Sequence, residues 1–380
     1  MTKIPFNRTS LVGNEMKYMM AAISNGDVTG NGPFTYKVEK LLEKELGVKR
    51  ALLTTSCTHA LEMSAILLDI NSEDEVIVPS YTFVSSALAF FMHRAKIVFS
   101  DVRSDTFNLD EKKLDGLVTK NTKAIVLVHY AGIACEMDAI MEIANRHNLI
   151  VIEDNAHGLF AKYKGKYLGT IGHMATQSFH GTKNFTSGEG GALLINDPVY
   201  IQRAEIIREK GTNRAELFRG EVDKYTWVDK GSSYVMSDIL AAFLFGQLER
   251  SFHIQTVRRS HWNFYYEKLE LWADSNNIQL PIVPNNCEQA YHIFYLLMPN
   301  LESRTAFIEH LKLNGVSAVF HYLPLHSSNI GKSITNNKVS LPITDDISDR
   351  IVRLPMYENL TIDEKIYIIE KIKLFFVDRA

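Results

Sequence analysis

The sequence predicts an α/β fold, a mostly parallel sheet of about seven strands with a smaller unit after it. Three observations lead there. Between residues 50 and 200, short β-branched or apolar runs alternate with longer segments of helical periodicity, the pattern of strands joined by crossover helices. The chain has 380 residues, 46% hydrophobic and 22% charged, enough for a large domain with an appended smaller one. Beyond about residue 235 the alternation gives way to long helices. We place the division at 1–250 for the large domain with its N-terminal segment, and 251–380 for the small one.

The expected strands are 51–54, 75–78, 96–99, 124–128, 149–153, 176–179 and 192–195. Between them 58–68, 83–92, 136–146 and 198–209 carry apolar residues at helical spacing. Further on, 238–249 and 253–271 read as long helices, and 290–297 and 317–320 as apolar strands. In the last helix Thr361 and Glu364 form a capping-box pattern. There Ile362, Ile366, Ile369, Ile372 and Phe376 recur as a stripe expected to face the core. No internal repeat or low-complexity segment is visible, which argues against solenoids and propellers.

Composition excludes several classes of function. Forty-one Lys and Arg against 44 Asp and Glu give a formal net charge of −3 without long runs of either sign, so neither nucleic acid nor an anionic membrane is an expected partner. The three cysteines, Cys57, Cys135 and Cys287, are far apart and suit neither a disulfide framework nor a structural zinc cluster. No apolar segment approaches a membrane span and the first residues lack a signal-peptide pattern, so a soluble, cytoplasmic protein is expected. The triplets at Asn7, Asn184 and Asn359 match the glycosylation pattern by chance in such a chain.

Open parallel sheets place their sites at the carboxyl ends of the strands. Four such junctions stand out, 54–59, 79–83, 154–157 and 178–191. One strand ends in Asp154, with His157 three residues later. Lys183 follows within Ser178-Phe179-His180-Gly181-Thr182-Lys183-Asn184, just before a Gly-rich turn. A lone lysine of this kind is ordinarily a surface residue. Here a lysine for an imine, a carboxylate for a pyridinium nitrogen and an anion cradle coincide, which is what a pyridoxal phosphate site requires. The carboxylate keeps the ring nitrogen protonated, so that the ring withdraws electrons from a substrate carbanion.

The cradle candidate is the hydroxyl-rich run from Thr54 to Thr58 and His59, leading into an apolar helix whose first amides suit a phosphate. Read alone, it is more simply a plain helix cap. Ser178 is a second phosphate donor or else a buried strand serine, and Phe83 covers a flat cofactor or belongs to the core. His129 and Tyr130 follow a strand and are equally structural. A zinc or iron site on Asp154, His157 and His180 leaves Lys183 and the cradle without a purpose, so no metal is expected. A nicotinamide-dependent oxidoreductase is disfavoured because no GxGxxG follows an early strand.

These motifs resemble the pyridoxal-phosphate sugar aminotransferases of the DegT and StrS group, which have the aspartate-aminotransferase (type I) fold. The likeness spans essentially the whole chain: Gly30-Asn31-Gly32-Pro33, Pro79-Ser80-Tyr81-Thr82-Phe83-Val84, Val128-His129-Tyr130-Ala131-Gly132, Glu153-Asp154-Asn155-Ala156-His157-Gly158, Glu189-Gly190-Gly191, Met236-Ser237-Asp238 and His321-Tyr322-Leu323-Pro324-Leu325-His326. The resemblance implies that Lys183 carries the cofactor as an imine and that Asp154 pairs with the pyridine nitrogen. His157, where many members have Gln, would contact the ring hydroxyl, and Phe83 would stack on the ring. Thr58, His59 and Ser178 would hold the phosphate, the first two chiefly through backbone amides. It also implies a homodimer with shared active sites, in which a polar residue after Gly231 reaches the partner's phosphate. Many members have Asn in that turn; this chain offers Ser232 and Ser233, and we take Ser233.

The stretch from Arg208 to Trp227 looks like the branch that makes dTDP-4-amino-4,6-dideoxygalactose from a dTDP-linked 4-keto-6-deoxyhexose and L-glutamate, in O-antigen or common-antigen synthesis. Lys210, Arg214 and Arg219 are candidates for the nucleotide diphosphate or else solvated surface charges. His321, Tyr322 and His326 are candidates for the sugar. Lys183 would shuttle a proton between substrate and cofactor carbons in two half-reactions. The glucose-configured 4-epimer and a 3-keto acceptor stay open, as do a pyridoxal-dependent sugar dehydratase and a cofactor-binding regulator. Dehydratases resembling this chain have His in place of the lysine, so Lys183 argues against dehydration.

Overall fold

The computed structural model describes residues 3–377. Seven strands form one sheet: β1 (Arg50–Thr54), β2 (Glu75–Pro79), β3 (Lys96–Ser100), β4 (Thr122–Val128), β5 (Ile150–Asp154), β6 (Met174–Ser178) and β7 (Gly191–Ile195), in spatial order β1-β7-β6-β5-β4-β2-β3. All pairings from β6 to β3 are parallel. Strand β7 runs antiparallel to both neighbours, so β1 points the same way as the parallel strands.

The principal helices are α1 (Glu15–Ser24), α2 (Pro33–Leu46), α3 (Cys57–Leu67), α4 (Ser85–Phe91), α5 (Met137–His147), α6 (Ile201–Arg208), α7 (Asp238–Leu248), α8 (Ser251–Ser275), α9 (Leu301–Leu313) and α10 (Ile362–Val377). They cover both sheet faces because successive strand side chains point opposite ways. Ala124 and Val126 of β4 join a core with α3, α4 and α6, while Ile125 and Leu127 join one with α5. Ala51 and Leu53 of β1 pack with α1, α2 and α7. Two of the motifs read from the sequence meet here. The Asp238 carboxylate accepts from the amides of Phe34 (3.1 Å) and Thr35 (2.6 Å) and from Thr35 Oγ1 (2.8 Å), satisfying the open start of α2 from another helix. Gly32 is what permits this approach, since a Cβ there would stand 2.5 Å from Asp238 Cγ.

A further core gathers α8, α9, α10 and the short strands β8 (Tyr295–Leu297) and β9 (Ile351–Arg353), which pair antiparallel. Ile4 packs in this second core, whereas the N-terminal segment was expected with the large unit, and Ile254 of α8 packs in the core of β1. The expected strand 290–297 shortens to 295–297. Its first carbonyls are engaged instead: Ala290 by Asn184, and Tyr291 and His292 by Arg258. Residues 317–320 form only an isolated bridge, Val319 to Arg353. The helix expected from 83 begins at Ser85, after a turn that turns Phe83 outward.

In α10 the capping box is present, with Glu364 N donating to Thr361 Oγ1 (3.2 Å) and Thr361 N to the Glu364 carboxylate (2.9 Å). The expected stripe is shifted. Ile362 and Ile366 are 53% and 44% exposed, and the buried row is Ile368, Ile369, Ile372 and Phe375. Lys365 occupies a buried position on that row, its ammonium 4.8 Å from the Phe264 ring centroid. A lysine that lays its stem on the core is invisible to an apolar-pattern reading.

Candidate active site

Register assembles the site at one sheet edge. Thr54 of β1 and Ser178 of β6 both lie opposite Gly191 of β7, and Asp154 of β5 lies between Val128 and Thr176. The chain leaves β1 directly into α3, capped by Ser56 Oγ, which accepts from His59 N (3.1 Å). Among the described residues the amides of Cys57 and Thr58, the first two of α3, donate to no acceptor. Gly191 makes the floor: a Cβ there would sit 2.4 Å from Cys57 N. Thr58 Oγ1 shares a hydrogen bond with Ser85 Oγ (2.7 Å), and the His59 ring lies between Thr55 Oγ1 and Tyr234, whose centroid is 5.1 Å away.

Asp154 is buried and accepts from Ser86 Oγ (2.7 Å) and Ala156 N (3.2 Å); Ser86 in turn bonds Thr82 Oγ1 (2.8 Å). Burial raises its carboxyl pKa, and the Ser86 bond, the Ala156 amide and the Lys183 charge pull against that. Lys183 is half-buried on the loop after β6. Burial lowers its ammonium to about 8, opposed by Cys57 and Asp154 and reinforced by Arg353. The loop is held from two sides. Asn7 Nδ2 and Thr9 Oγ1 donate to Gly181 O (2.8 and 3.4 Å), and Asn184 bonds Ala290 O through Nδ2 (2.7 Å) and His292 Nδ1 through Oδ1 (2.9 Å).

His157 is buried, and its Nδ1 accepts from Ala131 N (3.3 Å), which leaves the proton on Nε2, 3.3 Å from Tyr322 OH. Burial, then the charges of Lys183 and Arg353, hold this imidazole well below the usual histidine range. The His292 ring lies 4.3 Å from it. His321 bonds Tyr130 OH through Nδ1 (2.7 Å) and stacks on Tyr322 at 3.6 Å. Phe83 is 57% exposed at the mouth, 6.4 Å from the Tyr322 ring.

Other sequence candidates stand apart from this cluster. Ser233 is exposed, bridged to Glu209, and precedes the Tyr234 that covers His59. Lys210 pairs with Glu209 (3.3 Å), and the Arg214 guanidinium lies on the rings of Phe218 (5.2 Å) and Tyr225 (5.9 Å). Arg219 is held by Glu205 (2.7 Å) and Glu221 (2.8 Å), so its charge is already met. His326 is buried behind the loop, bonding Ser80 Oγ (2.8 Å) and standing 3.5 Å from Asp345. It anchors the turn that presents Tyr322.

Sequence reasoning missed Ser86, Asn184 and His292. Ser86 carried a signal, since it sits four residues after Thr82 beside an expected helix start; the other two depend on contacts across more than 100 residues. The donor set fits pyridoxal phosphate: an amine of lowered pKa, a buried carboxylate on a strand end, and two unengaged helix-start amides beside Thr58 and Ser178. Among the described residues no group of three or more His, Cys, Asp or Glu is arranged to hold a metal ion, and no helix is long and apolar enough to cross a membrane.

The model of the DegT/DnrJ/EryC1/StrS aminotransferase family matches residues 10–373. The chain is 35% identical over 323 residues to a GDP-perosamine synthase of Caulobacter vibrioides, covering 83% of each. It is 31% identical over 385 residues to the GDP-perosamine synthase of Escherichia coli O157:H7, covering 100% of each. Among solved structures, the PLP form of the proposed sugar aminotransferase Spr1654 of Streptococcus pneumoniae superposes with a TM-score of 0.89 at 25% identity, covering 100% of both chains.

Proposed function

The chain belongs to the DegT/DnrJ/EryC1/StrS aminotransferase family and is a pyridoxal-phosphate-dependent sugar aminotransferase of the type I fold; on that premise we propose that it moves the amino group of L-glutamate to a nucleotide-linked keto sugar. The observation that carries this is the convergence of Asp154, Lys183 and the start of α3 at one sheet edge. In this reading Lys183 Nζ bonds the cofactor, Asp154 meets its ring nitrogen, and Phe83 covers the ring. The amides of Cys57 and Thr58 with the Ser178 hydroxyl hold its phosphate. The His59 amide is already given to Ser56 Oγ, so His59 contributes through its ring, beside Tyr234. When bound, the cofactor supplies an electron sink for the carbon that loses a proton.

The residues do the rest. With a pKa about 8, Lys183 Nζ is suited to take the proton from the donor's α-carbon and return one to the sugar carbon. His157 Nε2–H is the donor for the ring hydroxyl, and its neutral, fixed tautomer gives it one role throughout. Tyr322 and His321 line the sugar side. The relatives named GDP-perosamine synthases favour a GDP-linked acceptor. The second reading is the dTDP-linked 4-keto-6-deoxyhexose, giving dTDP-4-amino-4,6-dideoxygalactose. Lys210 and Arg214 are the diphosphate contacts in either. A homodimer with shared sites accounts for the exposed apolar residues Val84, Met92, Trp227 and Val228 near the mouth and the 209–233 segment, and brings Ser233 to the partner's phosphate.

The visible spectrum tests this. Wild-type protein with pyridoxal phosphate is expected to show an imine band that bleaches with L-glutamate, and Lys183→Ala to show neither. Product formation with GDP- and dTDP-linked keto sugars, read by NMR, then ranks the acceptors and fixes the stereochemistry. A wild type without the band after incubation with the cofactor overturns the residue roles.

A further inference from the structure

Strand β5 ends in two buried carboxylates that are satisfied very differently. Glu153 accepts from three backbone amides and from His129. Asp154 accepts from one amide, Ala156 N at 3.2 Å, and from one hydroxyl, Ser86 Oγ at 2.7 Å. The hydroxyl bonds Oδ2 and the amide Oδ1, so each carboxylate oxygen keeps acceptor capacity for a further donor. Ser86 is fully buried on the first turn of α4, and Thr82, four residues before it, is buried as well. Thr82 Oγ1 lies 2.8 Å from Ser86 Oγ and has no other partner among the described residues.

Proton counting gives this chain of three groups a direction. An ionised carboxylate only accepts, so Ser86 gives it its one hydroxyl proton and Thr82 gives its own proton to Ser86. In that order every proton has an acceptor. A carboxyl protonated on Oδ2 would reverse the chain and leave the buried Thr82 proton without an acceptor, which is costly. A proton on Oδ1 would itself find no acceptor among the described residues. Thr82 and Ser86 thus favour the ionised form, and the two hydroxyls polarise one another in the same sense. Burial pushes the carboxyl the other way, and among its neighbours Ser86 opposes that most strongly. Ser85, the preceding residue, makes a different bond, to Thr58 Oγ1 (2.7 Å) at the start of α3.

We propose that Ser86, aligned by Thr82, is a positioning residue that holds the Asp154 carboxylate ionised and oriented for the cofactor's ring nitrogen. This rests on the role given to Asp154 above. The test is a competition on the full chain between pyridoxal phosphate and its deaza analogue, in which C–H replaces the ring nitrogen. Protein is equilibrated with an equimolar excess of both, and the bound ratio is read by chromatography of the released cofactors. The two differ only at the nitrogen, so the ratio reports the pairing with Asp154 and cancels any general loosening of the site. Wild type is expected to favour pyridoxal phosphate, and Asp154→Asn sets the floor. Ser86→Ala is expected to lower the ratio about three- to tenfold, the share of a hydrogen bond to a charged group that the ring nitrogen feels. Ser86→Thr, which keeps the hydroxyl, restores it to within about twofold of wild type. Ser85→Ala loses a hydroxyl of the same turn that bonds Thr58 rather than Asp154, and leaves the ratio at the wild-type value even where both cofactors bind more weakly. A Ser86→Ala ratio equal to that of wild type overturns the proposal when Asp154→Asn has lowered it. An equal fall in Ser85→Ala also overturns it, since that marks a distorted turn. If Ser86→Ala does not fold, Ser86→Cys, close in size and a weak donor, decides on the same ratio. A wild type that binds both cofactors alike, or an unaltered ratio in Asp154→Asn, defeats the role of Asp154 itself, a result distinct from these.

Discussion

The sharpest consequence of the site concerns one proton. Burial lowers the Lys183 ammonium to about 8, so at pH 7 roughly a tenth of the amine is unprotonated, against ~0.04% for a lysine at its ordinary value of about 10.4. The free amine is therefore about 200-fold more abundant than on a surface lysine. Competitive trace acetylation of the cofactor-free protein between pH 6 and 11, with each lysine peptide quantified by mass spectrometry, reads this directly. Lys183 is expected to titrate with a midpoint near 8. The neighbours fix the sign of two controls. Asp154 and Cys57 favour the ammonium and Arg353 disfavours it, so Asp154→Asn moves the midpoint down and Arg353→Met moves it up. A Lys183 midpoint above about 9.5, or shifts of the opposite sign, refutes the electrostatic account.

Two further predictions concern the frame that holds the site. The Glu153 carboxylate, fully buried, accepts from His129 Nε2 (2.9 Å) and the amides of Gly169 (2.7 Å), Ile171 (2.8 Å) and Gly172 (2.6 Å). Glu153→Leu strands four donors and is expected to cost about 4 kcal/mol or more in urea unfolding; a loss under about 1 kcal/mol contradicts the network. Burial pushes the Glu153 pKa up, but these donors outweigh it and hold it below 4.5, so its stabilisation is present above that pH and is lost as pH falls through the lower folded value. Asp238→Ala removes the carboxylate that caps α2 and is expected to lower stability by about 2 kcal/mol, checked by thermal melting, without altering the imine spectrum.

The sheet was legible because its strands are short, apolar and separated by helical periods, and all seven fall within two residues of their expected positions. Asp154 and Lys183 were legible because residue type and position at a strand end coincide with a chemical need. The C-terminal unit was less so. Residues 290–292 have a strand's composition, yet their carbonyls answer Arg258 and Asn184, partners 33 or more residues away in sequence. Arg219 and His326 show the converse limit. Their types suit substrate binding, but only the fold reveals that Glu205 and Glu221 neutralise one and Ser80 engages the other. A period of 3.6 read from apolar residues cannot report a lysine stem on the buried face, so the α10 stripe held at Ile369 and Ile372 but took exposed Ile366 where Lys365 is buried.

The charge balance explains why three histidines crowd this site without defeating it. Lys183 and Arg353 already set two positive charges against the single Asp154 carboxylate, and a protonated imidazole beside them would be a third, disfavoured by burial and by both neighbours. Burial holds His157, His292 and His321 well below the usual histidine range, and each has one nitrogen committed. His157 Nδ1 accepts from Ala131 N, His292 Nδ1 meets Asn184 Oδ1, and His321 Nδ1 meets Tyr130 OH. Fixed neutral imidazoles offer oriented hydrogen bonds without net charge. The positive charge that the site retains suits the anionic group of the proposed cofactor at the start of α3.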